Sequence, residues 1–205
     1  MKKSEIPTEV LKYELRKMQI KMAEESRSTF LTFVKKVWPE FIAGSHHKII
    51  AKKFEDISRG KIKRLIVNMP PRHTKSEFAS NLFPAWMLGQ KPKLKIIQTT
   101  HTAELSYNFG RKVRNLFDQQ EFKDVFPNSA LSPDSKASGR FNTKVGGEYF
   151  AAGVGGAITG RGADLLIIDD PHSEQDALSA SAYDTAYEWY TSGPRQRLQP
   201  GGTII

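Results

Sequence analysis

Two short strings, far apart in the chain, restrict its fold more than any other feature. The first, Asn68-Met69-Pro70-Pro71-Arg72-His73-Thr74-Lys75-Ser76, directly follows the apolar run Leu65-Ile66-Val67. The second, Asp169-Asp170, ends the apolar run Leu165-Leu166-Ile167-Ile168. A strand that runs into a phosphate-binding loop and a strand that ends in paired carboxylates are the minimum parts of a nucleoside-triphosphate hydrolase. Ser76 and Asp169 stand 93 positions apart. That distance leaves room for intervening α/β units, so the two elements would meet in space only.

The usual phosphate loop reads Gly-x-x-x-x-Gly-Lys-Ser/Thr. Its backbone amides donate to phosphate oxygens, its lysine offsets charge on the β and γ phosphates, and its hydroxyl binds Mg²⁺. Here Lys75 and Ser76 match the last two positions, while Met69 and Thr74 replace the two glycines. Arg72, His73 and Thr74 complete the candidate phosphate-binding set, Arg72 as a second cation. A helix is expected to begin at Thr74 or Lys75, and its free amides favour an anion. The competing reading is a Pro-Pro turn with an incidental Lys-Ser.

On the second string, Asp169 is expected to hold Mg²⁺ directly or through water, and Asp170 to orient or deprotonate the attacking water. Asp is one methylene shorter than Glu, so Glu174 is an alternative carboxylate. The competing reading is an Asp-capped turn before Pro171. A glycine-rich segment, 153–162, precedes this strand, and its glycines permit tight turns. Arg161 within it is placed to reach a neighbouring subunit's γ-phosphate. A surface arginine and a DNA-phosphate contact are the alternatives.

Strand-like and helix-like segments alternate downstream of residue 63. Strands are expected over Arg64–Val67, Leu94–Gln98, 141–143, 148–152 and Leu165–Ile168, with another starting near residue 202. Helices are expected from Lys75 towards Trp86, over 102–118 and over 179–192. Residues 119–139, with Pro127, Pro133 and Gly139, read as a loop excursion. Upstream, Leu11, Leu15, Met18 and Met22 fall on one helical face over 9–25. Phe30, Phe33, Val34, Val37 and Trp38 repeat the pattern until Pro39, and His47 to Ile57 forms a third amphipathic segment. These helices are expected to pack on the sheet. The pattern defines an α/β fold with a mostly parallel sheet, divided as a helical segment 1–45 and a core 46–205. The last apolar run is cut at Ile205, so the chain is expected to be a piece of a longer protein.

The chain has 205 residues, no cysteine and a hydrophobic content of 39%. Disulfides and thiolate metal sites are therefore excluded. No apolar stretch approaches the roughly 20 residues that span a bilayer, and a cytosolic protein is the default. Residues 1–64 hold 16 Lys and Arg against 8 Asp and Glu, whereas the remainder holds 15 against 14. A basic N-terminal third points to polyanions, or to a solvated lysine-rich helix surface.

Residues 69–77, Phe83-Pro84-Ala85-Trp86 and Gly160-Arg161-Gly162-Ala163-Asp164 through Asp169-Asp170-Pro171 resemble the ATPase domain of large terminase subunits of tailed bacteriophages. Thr100-His101-Thr102-Ala103-Glu104-Leu105, Leu131-Ser132-Pro133-Asp134-Ser135 and Gly153-Val154-Gly155-Gly156 extend the resemblance over most of residues 28–205. It implies an ASCE-type, RecA-like P-loop NTPase that uses ATP and Mg²⁺ to drive double-stranded DNA into a procapsid. The implied partners are the portal protein, the small terminase subunit and further copies in a ring, within the host cytoplasm and with no membrane. The resemblance gives Lys75 and Ser76 to the phosphate loop with Arg72 as charge sensor, Asp169 and Asp170 to metal and water, and Arg161 to a trans-acting role. His47, beside His46, falls where such proteins place an adenine-recognition motif built around Gln. A cap or surface pair is the other reading, and a metal site is disfavoured because adjacent helical histidines are expected to point apart. The nuclease domain and coupling motif are absent from these residues, so no DNA cleavage is expected. Candidate DNA contacts are Lys35, Lys36, Lys52, Lys53, Arg111, Lys112 and Arg114. A helicase-like nucleic-acid-dependent ATPase and a non-hydrolysing DNA- or partner-binding fragment are the alternatives.

Overall fold

Alternating side chains on buried strands face opposite sides of a sheet, so a strand apolar at every position must be covered on both faces. The central strands of this fold are buried on both faces, although one of them carries Gln98, Thr99 and Thr100 among its buried residues. The structure, a computed structural model, describes residues 7–205. The helices are α1 (Thr8–Ser28), α2 (Phe30–Val37), α3 (Ser45–Ser58), α4 (Phe83–Gln90), α5 (Ala103–Leu116), α6 (Gln120–Val125) and α7 (Ala180–Ser192). The strands are β1 (Lys95–Thr100), β2 (Leu131–Ala137), β3 (Arg140–Thr143), β4 (Glu148–Gly153), β5 (Ala163–Ile168) and β6 (Leu198–Ile204).

The six strands form one mixed sheet in the order β2-β3-β4-β1-β5-β6. Strands β4, β1, β5 and β6 are mutually parallel, and β3 and β2 extend the sheet antiparallel. On one face, Ile96, Tyr149, Ala151, Leu165 and Ile167 join the larger core with the aromatics of α2, α3 and α4. On the other, Ile97, Ala152 and Leu166 pack with Ile158, and Phe150, Tyr190 and Leu198 close over them. The alternation along each strand therefore assigns every side chain to a face, including the two carboxylates that follow Ile168.

Phe30 anchors the larger core. Its ring meets Phe54, Phe78, Phe83 and Trp86 edge-on at centroid separations of 5.3–5.9 Å, the arrangement that aromatic quadrupoles favour. Trp86 Nε1 donates to Ser26 O at 2.9 Å, and the Phe30 amide donates to Glu55 Oε1 at 3.0 Å. These contacts fix the long helix that follows the loop 68–74.

That helix is not regular. Lys75 and Ser76 begin it as α-helix, residues Glu77–Leu82 form a π-helical stretch, and α4 continues to Gln90. The cause is Pro84, which has no N–H for the Ser80 carbonyl and whose ring would press on that oxygen in an α register. The wider turn, in which the Phe83 amide reaches Phe78 O, removes the conflict.

Three expectations need correction. Residues 64–67 are not a buried strand. Arg64 makes a single parallel bridge to Ile204, the Leu65 amide donates to Ile204 O at 3.0 Å, and Ile66 is 86% exposed. The segment lies at the outer edge of β6, where only one side finds backbone partners. Residues 119–139 are not a plain loop, because α6 and β2 form there. Pro133 is tolerated because β2 is an edge strand, whose register to β3 breaks between Leu131 and Lys136. Finally, Leu11, Leu15, Met18 and Met22 are 45–61% exposed, and α1 buries only Ala23 and Ser26. The periodicity of α1 predicted the helix correctly but not a partner for its apolar face.

Candidate functional site

The loop-bearing segment, β6 and β5 lie side by side, so loop 68–74 and the Asp169-Asp170 pair emerge at one end of the sheet. Lys75 Nζ donates to Asp170 Oδ1 at 2.5 Å, across 95 positions of sequence. The Lys75 side chain is 22% exposed and that of Asp170 62%. Beside this pair opens a cleft of about 730 Å³ with largely apolar walls, among them Leu65, Val67, Ile167, Tyr187 and Ile205; Asn68, Lys75, Asp169 and Asp170 line it too, while residues 69–74 and Ser76 do not. Cavities of roughly 300–1,000 Å³ are the usual range for small-molecule sites.

The two carboxylates differ in kind. Asp169 follows the face of Leu165 and Ile167, is 6% exposed, and accepts a hydrogen bond from Ser80 Oγ at 2.7 Å through Oδ2. Its amide donates to Thr99 O at 2.9 Å, which extends the sheet by one residue. Asp170 turns out of the strand with φ 44°, and the His101 amide donates to its carbonyl at 3.2 Å. The pair is thus split between one buried, hydrogen-bonded carboxylate and one solvent-facing carboxylate held by a lysine. Glu174 is exposed in the following turn. In that turn the Asp176 carboxyl is held below the usual carboxylate range by hydrogen bonds from the Ser173 amide (2.9 Å) and hydroxyl (2.8 Å), helped by His172 and His101.

Loop 68–74 carries two left-handed residues that are not glycine, Arg72 (φ 63°) and Thr74 (φ 61°). Thr74 stands at the second glycine position of the usual loop, and a β-branched residue in this region is an outlier. Its hydroxyl donates to His73 O at 2.6 Å and lies 2.6 Å from His47 Nε2. His47 Nδ1 accepts from the Gly44 amide at 2.9 Å, so the neutral ring carries its proton on Nε2 and donates it to Thr74. His47 is 7% exposed, and burial, then the adjacent His46, pull its pKa below the ordinary value of 6.5.

The expectation that His46 and His47 point apart is wrong, since their ring centroids are 3.8 Å apart. Both rings fold back over the amino end of α3, where a Cβ on Gly44 would stand 2.8 Å from His46 Cε1. His73 lies 5.6 Å from the His46 ring and donates through Nδ1 to Pro71 O at 2.9 Å.

Arg161 is at the opposite end of the sheet, roughly 20 Å or more from Asp169 along a six-residue strand. Its guanidinium pairs with Glu148 and lies 3.8 Å from the Phe150 ring centroid. It is held rather than free, and it does not reach this molecule's own carboxylate pair.

Ser76 sits one turn before Ser80 on the same helix. Hard oxygen donors from Ser76 and Asp169 suit Mg²⁺, which takes one or two protein ligands and completes its shell with water and phosphate. Among the described residues no cluster of three or more His, Cys, Asp or Glu could hold a metal unaided. Ser80 escaped sequence reasoning, although a serine between Ala79 and Leu82 on a buried helix face signals a buried polar partner. No protein-family model matches the chain, and no curated protein matches it significantly.

Proposed function

We propose that the chain is an ATP-hydrolysing domain that uses Mg²⁺ and drives double-stranded DNA, of the kind found in the large terminase subunits of tailed bacteriophages. The observation that carries the nucleotide reading is the Lys75–Asp170 contact. A loop lysine at a helix start meets a strand-end carboxylate, the pairing that a phosphate loop and a metal-site strand require. One strand, β6, set between the loop-bearing segment and the carboxylate strand supports the ASCE-type, RecA-like variant of the P-loop fold. The motif strings of residues 69–77, 83–86 and 153–171 support the terminase assignment within that class.

In this reading, Lys75 exchanges Asp170 for phosphate oxygens when a triphosphate enters, and the Lys75 and Ser76 amides at the helix start face the same anion. Asp170, released, is free to orient the attacking water. Bound Mg²⁺ would supply charge neutralisation on the triphosphate. Ser76 and Asp169 are the residues that would hold it, with Ser80 keeping one Asp169 oxygen fixed. Arg161 would act on a neighbouring copy's site within a ring, after leaving Glu148.

The test is a Mg·ATP titration on this chain and on Lys75→Ala. Loss of the lysine is expected to weaken affinity at least tenfold, the worth of one charge-assisted contact. Equal affinity in both proteins contradicts a nucleotide site at Lys75.

A further inference from the structure

We infer that His47 is a positioning residue of the phosphate loop: it holds Thr74 in the left-handed conformation that glycine adopts unaided, and does not read the nucleotide base. The inference rests on the triphosphate reading of this loop. Glycine reaches φ near +60° without steric cost, whereas a threonine there must be held by its surroundings. Thr74 is held by one relay. The Gly44 amide donates to His47 Nδ1, His47 Nε2–H donates to Thr74 Oγ1, and the Thr74 hydroxyl donates to His73 O. Each nitrogen of the ring therefore already has a partner, and at 7% exposure neither is presented to a ligand. The ring is clamped as well, 4.8 Å from Phe41 and 5.1 Å from Phe78 between centroids. Phe78 belongs to the π-helical stretch, and its amide donates to Thr74 O at 2.9 Å. Histidine, loop and helix start thus form one unit, and the relay stands in for the missing glycine.

This predicts interdependence of His47 and Thr74, and a role aimed at phosphate rather than adenine. The experiment measures affinity for Mg·ATP and for Mg·tripolyphosphate, which has no base, in the parent chain, His47→Ala, Thr74→Gly and the double variant. His47→Ala is expected to weaken both ligands, by about tenfold, the size of effect expected when a strained left-handed residue loses its support. In the Thr74→Gly background the same replacement is expected to change neither by more than about twofold, because glycine needs no support.

Two conservative variants separate positioning from folding. In His47→Gln the amide nitrogen takes the place of Nε2, keeps the donor to Thr74, and is expected to stay near the parent. In His47→Asn the side chain keeps the acceptor for Gly44, loses the donor to Thr74, and is expected to behave like His47→Ala. Loss of ATP affinity with tripolyphosphate affinity intact would make His47 a base reader and overturn the inference. So would equal losses in the parent and Thr74→Gly backgrounds. If the parent chain binds neither ligand, the nucleotide reading fails by itself. Thermal unfolding then decides the His47–Thr74 unit separately: non-additive midpoint shifts keep it, and additive shifts remove it.

Discussion

Thr74 is where local chemistry and site architecture conflict. Threonine prefers extended backbone, yet it occupies φ 61° at the head of a helix. The cost is met by neighbours far away in sequence, His47 above all. Such strain is found where surrounding structure over-determines a conformation that function uses. Ser80 makes a similar point in the core. Its hydroxyl is the donor seen on the buried Asp169 oxygen, so Ser80→Ala leaves that oxygen without it. The expected loss is about 1–3 kcal/mol of stability, measured by urea denaturation; a loss below about 0.5 kcal/mol would mean that Asp169 finds another donor. His47 adds a pH dependence with a defined sign. Its folded-state pKa is depressed, so the unfolded chain binds the proton more readily. Stability from this residue is fully present above pH 6.5 and is lost as pH falls from there through the lowered folded value. The denaturation midpoint is expected to drop over that window in the parent and to drop less in His47→Gln, which has no ring to protonate. Identical slopes in the two proteins would contradict this role for His47.

At the scale of elements, α1 and α2 show what periodicity does and does not convey. Both are amphipathic in sequence and both are helices. Yet α2 buries Phe30, Phe33 and Val34 completely, while the apolar face of α1 is left open. Replacing Leu15 and Met18 by Gln is expected to change stability by less than about 0.5 kcal/mol, whereas Phe30→Ala is expected to cost about 3–5 kcal/mol. Comparable losses from both would mean that α1 is packed in solution. The central strands were legible because β4 and β5 are apolar at nearly every position, which only a two-sided parallel sheet accommodates. The segment 64–67 was equally apolar and misled for that reason, since hydrophobicity does not report whether a second strand is available to pair. The π-helical stretch was marked in the sequence by Pro84 placed within a helical pattern, although the pattern alone does not distinguish a break from a widened turn. Asp169 and Asp170 could be proposed from their place at the end of an apolar run, and Lys75 from the Lys-Ser pair in the loop that follows another. The division of labour between the two carboxylates could not, because it depends on which face of β5 meets Ser80.

For the whole molecule, the excess positive charge lies in the N-terminal third, and the structure sorts the candidate DNA contacts. Lys36 pairs with Asp124 at 3.8 Å, Lys112 pairs with Glu77, and Arg114 donates to Lys136 O at 2.9 Å. Lys35, Lys52, Lys53 and Arg111 are exposed. Binding to duplexes of unrelated sequence is expected to be similar and to weaken linearly in log–log form as salt rises. Lys52→Glu with Lys53→Glu is expected to reduce both affinity and that slope; unchanged binding would rule out Lys52 and Lys53 as DNA contacts. Among the described residues no helix is long and apolar enough to cross a membrane. In the proposed function, loop 68–74 and the strand-end carboxylates enclose one triphosphate. A crystal structure with Mg²⁺ and a non-hydrolysable ATP analogue tests this most directly. The β and γ phosphates should lie over residues 72–76, with Lys75 Nζ moved from Asp170 onto phosphate oxygen; phosphates bound elsewhere, or Lys75 still on Asp170 with the ligand present, would contradict it.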